Sequence, residues 1–373
     1  MRNFVLTSDS VTPGHPDKLC DQISDAVVDA VLAGDPAARV TAECAVATGV
    51  LFLSVRSDTE AGVDPAAIAR RIVAEAGTGP PAGRPPTVML DLARPSGGHG
   101  GPGTGTMTTA FGHACDHTPE HLAYPIWAAH RLTRAIEAAR RDGRLPWLGA
   151  DSQAQVAVAF EDRRPVALRA IAVTTATPEP PPEAEARAAL IGQVIEPALA
   201  DAPVRLARDS RIVLHVVAGT GGPAAHAGLT GRKLSDDSYG GFARQGASAL
   251  SGKDPGRVER LAACAARQLA RCLVAAGLAR EAEVQLSYLA GDRRPASVEL
   301  DTFGSGAAPD SALSARLAEV FDLELGALDE RLGLRHLPAA RGGRFFRDLA
   351  SFGQMGRDDL TPPWEDVTLA GRI

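Results

Sequence analysis

The residues best suited to chemistry stand near the amino terminus, in the run Gly14-His15-Pro16-Asp17-Lys18. They precede a segment whose apolar residues, from Leu19 to Val31, recur at helical spacing. The first turn of a helix presents unpaired backbone N–H groups and the positive end of the helix dipole, which favour anions. A histidine, a carboxylate and a lysine at this position predict a site for a polyphosphate and its metal ion.

Lysine is rare in this chain. Of 39 lysines and arginines only three are lysines, Lys18, Lys233 and Lys253, and each has glycine nearby. A chain that uses arginine almost everywhere else has lysine at these three positions, which indicates that the compact lysine ammonium is required there. Glycine beside a cation is typical of a loop that wraps a phosphate. The three lysines together predict a polyphosphate cradle, although three leftover surface lysines are the simpler alternative.

Length and charge narrow the class of protein. A chain of 373 residues predicts two or three domains, and a net charge of −6 argues against a nucleic-acid partner held by general electrostatics. The five cysteines contain no CxxC pair, which is typical of a reduced, cytoplasmic protein. No apolar run has the length of a signal peptide or a membrane span. We therefore expect a cytoplasmic protein without membrane contact.

Helical and strand patterns alternate along the chain. The run 39–46 alternates as a strand and places Thr41, Glu43 and Ala45 on one face. Amphipathic helices are predicted over 125–141 and from Asp254 to Gly277. This even mixture predicts an α+β fold of three similar units, with an N-terminal domain at 1–100, a central domain at 103–220 and a C-terminal domain at 221–373.

Two further patterns carry weaker predictions. Residues 94–106 are so rich in glycine that we expect a mobile loop or lid, and no Gly-Lys-Ser/Thr follows to make a P-loop. His113, His117 and His121 recur every four residues, a spacing that lines up zinc ligands on a helix. Pro119 interrupts that helix, which makes a zinc site the less favoured interpretation.

Several motifs resemble those of the S-adenosylmethionine synthetases (methionine adenosyltransferases), over nearly the full length. They are Gly14-His15-Pro16-Asp17-Lys18 with Asp21-Gln22-Ile23-Ser24-Asp25-Ala26, Leu145-Pro146-Trp147-Leu148, Gly228-Leu229-Thr230-Gly231-Arg232-Lys233, Tyr239-Gly240-Gly241, Ser251-Gly252-Lys253-Asp254-Pro255 and Pro363-Trp364-Glu365. The resemblance implies three α+β domains related by pseudo-threefold symmetry. It also implies a homodimer, or a dimer of dimers, with active sites at the subunit interface.

In that family the methionine sulfur attacks C5′ of ATP and expels triphosphate, which is then hydrolysed. The resemblance implies that His15 assists the departure of triphosphate, that the cations hold it, and that carboxylates bind Mg²⁺ and K⁺. The cations concerned are Lys18, Arg232, Lys233 and Lys253. The implied metal ligands are Asp17 for Mg²⁺, Glu43 for K⁺ and Glu259 for a metal ion, whereas Asp151, Gln153 and Arg257 stand on the nucleotide side.

The chain departs from the family pattern mainly on the acceptor side. Arg56, Thr106 and His226 stand where the family has carboxylates, and the last would meet the methionine ammonium. On the nucleotide side, Ala218 replaces a phenylalanine that stacks on adenine, and Gln153 replaces a lysine. An unpaired buried charge costs several kcal/mol, so the replacement of acceptor-side carboxylates by Arg56 and His226 predicts weak methionine binding.

Three hypotheses follow. The first is an enzyme that binds ATP or another nucleoside triphosphate with Mg²⁺, cleaves the C5′–O bond and uses an acceptor other than methionine, with Arg56 and His226 suited to an acidic one. The second is ordinary S-adenosylmethionine synthesis. The third is a non-catalytic subunit that pairs with a complete paralogue.

Overall fold

The computed structural model describes residues 3–59, 62–78, 85–94 and 105–373, with only the backbone at 207 and 208. The strands in these ranges are β1 (Asn3–Val11), β2 (Val40–Ala47), β3 (Val50–Ser57), β4 (Thr87–Ala93), β5 (Thr108–Cys115), β6 (Ser152–Glu161), β7 (Arg164–Thr177), β8 (Leu206–Ala218), β9 (Gly228–Leu229), β10 (Glu281–Tyr288) and β11 (Ser297–Asp301). The α-helices are α1 (Pro16–Gly34), α2 (Pro65–Ala76), α3 (Tyr124–Arg141), α4 (Glu183–Leu190), α5 (Glu196–Ala198), α6 (Leu234–Asp237), α7 (Val258–Ala275), α8 (Asp310–Val320), α9 (Leu325–Leu332), α10 (Leu337–Ala340) and α11 (Phe345–Leu349).

The strands form three sheets, and one long helix packs on each. Sheet A has the order β1-β6-β7-β8, sheet B the order β4-β3-β2-β9, and sheet C the order β11-β10-β5. Helix α3 packs on sheet A, α1 on sheet B, and α7 on sheet C. The prediction of an α+β fold built from three similar units is confirmed. Within the described ranges, no helix combines the length and apolarity that a membrane span requires.

Each sheet combines strands that are distant in the sequence. Strand β1 pairs antiparallel with β6 from Asn3↔Glu161 to Val11↔Gln153, and β5 pairs antiparallel with β10. The predicted domain boundaries at 1–100, 103–220 and 221–373 remain a prediction. The physical units are sheets with their covering helices, and each draws on more than one of those ranges.

The outer face of sheet B, which points away from α1, carries an exposed row of apolar side chains. The register aligns Met89 with Phe52, Phe52 with Ala45, and Ala45 with Leu229, so the row crosses all four strands. Phe52 is 43% exposed and Met89 is 55% exposed. We call these four residues the apolar row. The predicted placement of Thr41, Glu43 and Ala45 on one face is confirmed, because these residues alternate with buried ones along β2.

The helical interpretation of the 113–121 histidines is wrong. His113 lies on strand β5, where its Nε2 is 2.9 Å from an Oε1 of Glu281 on β10. His117 lies after the strand and contacts the carbonyl oxygen of Arg163 through its own Nε2, at 2.9 Å. Strand pairing with β10 overrides the four-residue spacing, and among the described residues these histidines form no metal-ligand set.

Glu281 makes the stability of sheet C sensitive to acid. Its side chain is buried and accepts hydrogen bonds from Arg163 Nε, at 2.7 Å, and Nη2, besides the His113 contact. Burial opposes its charge, but the bonds from Arg163 and His113 outweigh burial and lower the pKa of Glu281 to about 2. The contribution of the Glu281 carboxylate to the free energy of unfolding is therefore fully present above the pKa of the unfolded chain, near 4.5. It is lost as the pH falls towards 2.

We expect the free energy of unfolding to fall by roughly 3 kcal/mol between pH 5 and pH 2 through this group. Urea unfolding at a series of pH values measures the effect. In Glu281→Gln this part of the acid dependence should disappear, whereas Glu319→Gln serves as a matched control on a surface helix. An unchanged acid slope in Glu281→Gln would contradict the assignment.

Candidate active site

The mouth of helix α1 is formed by close contacts between three chain segments. His15 is the N-cap, and its Nδ1 accepts the Asp17 N–H at 3.2 Å. Glycine is required at two of the contacts. A Cβ on Gly14 would lie 2.3 Å from the Ala150 carbonyl oxygen, and one on Gly228 would lie 2.2 Å from that of Pro16. These glycines let residues around 150 and 228 approach the helix end.

Asp17 gathers two cations at this mouth. Its Oδ1 accepts the Leu229 N–H at 3.0 Å and lies 3.5 Å from Arg232 Nη1. Lys233 Nζ lies 3.9 Å from Oδ2 of the same carboxylate. The Arg232 side chain is half exposed, and its Nη1 also donates to the Ala227 carbonyl oxygen at 3.2 Å. The helix end and the two cations form a positively charged site beside one buried carboxylate.

His15, Asp151 and His226 converge beside the helix mouth from segments far apart in the sequence. His226 Nε2 lies 3.0 Å from Asp151 Oδ2, which also accepts the Gly222 N–H at 2.8 Å. The centroids of the two imidazole rings are 5.0 Å apart. Asp151 Oδ1 is buried without a hydrogen-bond partner in the described part of the chain. This oxygen is an acceptor available to a ligand.

His15 is neutral around pH 7. Burial, followed by the nearby charges of Lys233 and His226, lowers the pKa of His15 to about 3. Because Nδ1 accepts the Asp17 N–H, the proton of the neutral ring is on Nε2. His15 is therefore a hydrogen-bond donor held in one tautomer.

Two groups of side chains in this region have atoms that could hold a metal ion. His15, Asp151 and His226 lie within metal-ligand spacing of one another. A metal ion there is disfavoured because His15 Nδ1 accepts the Asp17 N–H and Nε2 carries the proton of the neutral ring. Hard cations such as Mg²⁺ prefer carboxylate oxygens. The buried Oε2 of Glu259 has no hydrogen-bond partner among the described residues, which fits such an ion.

An open cavity of about 410 Å³ adjoins Asp151 and His226. It lies at the carboxyl ends of the parallel strands β7 and β8 in sheet A. Gln153, Thr174 and Ala218 line it with those two residues. The cavity therefore opens at the pair that also contacts His15, so the helix mouth and the cavity form one continuous site.

A second charged cluster lies at the edge of sheet B. Lys253 Nζ and Arg257 Nη2 each lie 3.6 Å from Glu259 Oε1. Lys253 also forms an antiparallel bridge with Thr41 of β2. Burial lowers the pKa of Lys253, and the opposing effect of Glu259 is smaller. Lys253 and Arg257 thus pair with Glu259, whereas Arg232 and Lys233 pair with Asp17.

The predicted acceptor and K⁺ residues are dispersed. Glu43 and Arg56 lie on the same outer face of sheet B as the apolar row. The Arg56 side chain is 59% exposed, and its Nη2 lies 3.8 Å from Asp91 Oδ2. Thr106 is half-buried just before β5. Of the predicted acceptor residues, only His226 lies beside His15 and Asp151. Most of the predicted lid, residues 95–104, lies outside the described residues.

Lys18 is placed differently from the other two lysines. Its side chain is fully buried, and its Nζ lies 2.5 Å from Asp237 Oδ1 and 3.1 Å from Asp21 Oδ2. Burial disfavours its charge, but Asp237 and Asp21 outweigh burial and raise the pKa of Lys18. A triphosphate role for Lys18 stays a prediction that this enclosed geometry does not favour. Lys233 and Lys253 are the more accessible members of the predicted cradle.

The carboxylates that hold Lys18 were not singled out from the sequence. Asp236 and Asp237 follow Lys233 closely, and both are buried. Three acidic residues around one buried lysine are consistent with a structural ion cluster. The only sequence signal was the Asp-Asp pair next to a glycine-rich motif, and such pairs are common on surfaces.

Comparisons with known proteins identify the family of the chain. Family models match for the S-adenosylmethionine synthetase N-terminal domain over residues 3–82, the central domain over 101–220 and the C-terminal domain over 220–366. S-adenosylmethionine synthases of Prochlorococcus marinus (strain MIT 9313) and Synechococcus sp. (strain CC9605) are each 43% identical to the chain. Each alignment covers 99% of this chain, with 95% and 97% of the respective relative. The synthase of Trichormus variabilis is 40% identical over 98% of this chain and 94% of its own length.

The fold and site define an ATP-dependent adenosyltransferase that binds metal ions. The chain belongs to the S-adenosylmethionine synthetase family.

Proposed function

We propose that the chain makes S-adenosylmethionine from ATP and methionine, the second of the three hypotheses above. The observation that carries this proposal is the continuity between the cavity and the cationic mouth of α1 through Asp151 and His226. A nucleoside triphosphate has a neutral base and sugar joined to a polyanion, and the site has the same two-part character. The names of the relatives favour methionine as the acceptor.

The residues suggest how the two halves of ATP are held. The unpartnered Asp151 Oδ1 accepts a hydrogen bond from a ribose hydroxyl, with the base in the cavity. The triphosphate lies against the N–H groups of α1, where Arg232 and Lys233 turn from Asp17 to the phosphates. The second cluster supplies Lys253 and Arg257 as further phosphate ligands.

The reaction forms a sulfur–C5′ bond and breaks the C5′–O bond. The methionine sulfur donates an electron pair and becomes a sulfonium, and the C5′–O pair leaves with triphosphate. His15 Nε2–H donates a hydrogen bond to the oxygen that gains charge, which is the step at which a fixed donor lowers the barrier. The departed triphosphate is then hydrolysed in the same cationic site.

Metal ions complete the charge balance in this proposal. Asp17 and Glu259 would hold Mg²⁺, which supplies positive charge to the phosphate oxygens when bound. Glu43 would hold K⁺, but it lies on the exposed outer face of sheet B. A K⁺ ion there requires further oxygen ligands, and a second copy of the chain across that face would provide them.

A second candidate is transfer to an acceptor other than methionine. The exposed guanidinium of Arg56, whose Nη2 lies 3.8 Å from Asp91 Oδ2, favours an acidic acceptor. The contact between His226 and Asp151 weakens this candidate, since the carboxylate balances any charge on the imidazole. The replacement of a family carboxylate by His226 therefore changes the net charge of the folded site less than the sequence alone predicts.

Product analysis separates these functions. The purified protein is incubated with ATP, Mg²⁺ and K⁺, together with methionine, with norleucine, which lacks the sulfur, or with neither. Phosphate, diphosphate and adenosylated products are followed by colorimetry and mass spectrometry. A sulfonium product that forms in the reaction with methionine, and not in the reactions with norleucine or with neither, supports the proposal. Triphosphate cleavage that ignores methionine would favour another acceptor, and absence of turnover would favour a non-catalytic subunit.

We also propose a homodimer through the outer face of sheet B. The apolar row crosses all four strands there, and a solvated sheet face normally carries polar side chains instead. The row lies on the same face as Glu43 and Arg56. A partner at this face would bring its own charged cluster near these residues.

We expect Phe52→Glu to convert the dimer to a monomer, because it places a charge in the centre of the apolar row. Light scattering after size-exclusion chromatography measures the mass. Val166→Glu introduces the same charge at a comparably exposed position on sheet A and should leave the mass unchanged. A Phe52→Glu variant that remains a dimer would place the interface elsewhere.

A further inference from the structure

The cavity beside Asp151 has walls made of small side chains. Ala176, Ala218, Ala224 and Ala225 line it, Val217 is the larger apolar side chain beside them, and the volume of the cavity is about 410 Å³. It lies on the solvent face of sheet A, opposite α3, since Gln153 and Thr174 alternate with the buried neighbours Ser152 and Thr175. A cavity of this size holds roughly a dozen waters at about 30 Å³ each, and a flat purine fills only part of it.

Among the described residues that line the cavity, none has an aromatic ring that could stack on a base except His226. The His226 ring is held at the mouth by Asp151. The Gln153 amide both donates and accepts, and the Thr174 hydroxyl does the same. In the described part of the chain, neither side chain makes a side-chain hydrogen bond of its own. They adapt to a base edge and do not impose one pattern of donors and acceptors.

The position of the sugar fixes which edge of the base faces the empty space. In the proposed function, Asp151 at the cavity mouth holds the ribose, and the triphosphate extends from there to His15 and α1. The ring edge that carries the sugar then faces the mouth. The six-membered ring, with its exocyclic N6, points towards the alanine walls.

We propose that this pocket accepts adenine nucleotides enlarged at N6 by an apolar group, such as a benzyl ring, nearly as well as ATP itself. The inference rests on the proposed function for the placement of sugar and phosphates. The added ring occupies space bordered by alanine methyl groups and buries apolar surface. We therefore expect the enzyme to accept substituents on the base and to recognise its substrate through the triphosphate.

The test compares ATP and N6-benzyl-ATP as substrates of the full-length protein with methionine, using mass spectrometry of the two sulfonium products. The value of kcat/KM for N6-benzyl-ATP should be within about tenfold of that for ATP. Ala218→Phe fills the pocket, and we expect it to lower the ratio of the two values at least about tenfold. Val166→Phe, an exposed position elsewhere on β7, should leave the ratio unchanged.

Failure of this inference is distinguishable from failure of the proposed function. If wild type uses ATP but discriminates against N6-benzyl-ATP by about a hundredfold or more, the pocket does not have the proposed tolerance. If neither nucleotide is turned over, the proposed function is wrong, and calorimetric titration with each nucleotide decides the inference. The inference is supported if wild type binds ATP and N6-benzyl-ATP with similar Kd values and Ala218→Phe binds N6-benzyl-ATP more weakly than ATP. Selective binding of ATP by wild type would overturn it.

Discussion

His15→Ala is expected to lower kcat for triphosphate release by roughly 10²–10³-fold. The substitution removes the Nε2–H donor from the oxygen that leaves C5′, and loss of one fixed donor at a developing charge typically has this effect. The donor is fixed because the Asp17 N–H occupies Nδ1. KM for ATP should change less than kcat, because the phosphates keep the helix end, Arg232 and Lys233.

Two further variants separate catalysis from folding at this position. His15→Asn keeps an N-cap acceptor for the Asp17 N–H and an amide donor, so it should recover the stability and part of the rate. His336→Ala removes an exposed histidine and should leave kcat unchanged. Full activity in His15→Ala would show that the donor is not at the leaving oxygen.

Arg267→Ala is expected to destabilise the protein by about 3–5 kcal/mol, because it breaks a buried ion pair and leaves three backbone carbonyl oxygens without this donor. Arg271 also contacts Glu365 and keeps one cation beside that carboxylate. The Arg267 side chain is fully buried on α7 and donates to both carboxylate oxygens of Glu365, at 2.8–3.1 Å. It also donates to the carbonyl oxygens of His113, Glu120 and His121, at 2.6–3.0 Å. One guanidinium thus joins α7, the end of β5 and the carboxyl-terminal segment.

Urea unfolding gives the free energy of unfolding for wild type and variant. Arg267→Lys retains the charge but not the planar set of donors, so it should recover only part of the loss. Arg294→Ala removes an exposed ion pair with Asp322 and should cost less than about 1 kcal/mol. A loss below that value in Arg267→Ala would contradict the assignment.

Local periodicity predicted the helices and the exposed face of β2. The predicted helix at 125–141 matches α3 (Tyr124–Arg141) closely, and Thr41 and Glu43 lie on the exposed face as expected. These features depend on residues that are neighbours within one helical turn or one strand, so they can be predicted from one sequence. The start of α1 after His15 was likewise evident from the proline and acidic residue of its first turn.

Partners distant in the chain were not predictable by the same means. Strand β1 finds β6 about 150 residues later, and the pairing of His113 with Glu281 replaces a helical pattern by a strand. The triphosphate role of Lys18 stays a prediction, but its buried ion pair with Asp237, 219 residues later, did not follow from residue spacing. Such long-range ion pairs depend on how whole sheets pack, which residue spacing does not encode.

The interleaving of the three sheets has a kinetic consequence. Sheet B is completed only when β9 (Gly228–Leu229) reaches β2, and sheet C only when β10 reaches β5. During synthesis the ribosome therefore releases β5 long before its partner exists, and an unpaired strand edge invites association with other chains. Native contacts of such long sequence separation slow the search for the folded state. The nascent chain of this enzyme is thus a natural client for chaperones until its last third has been made.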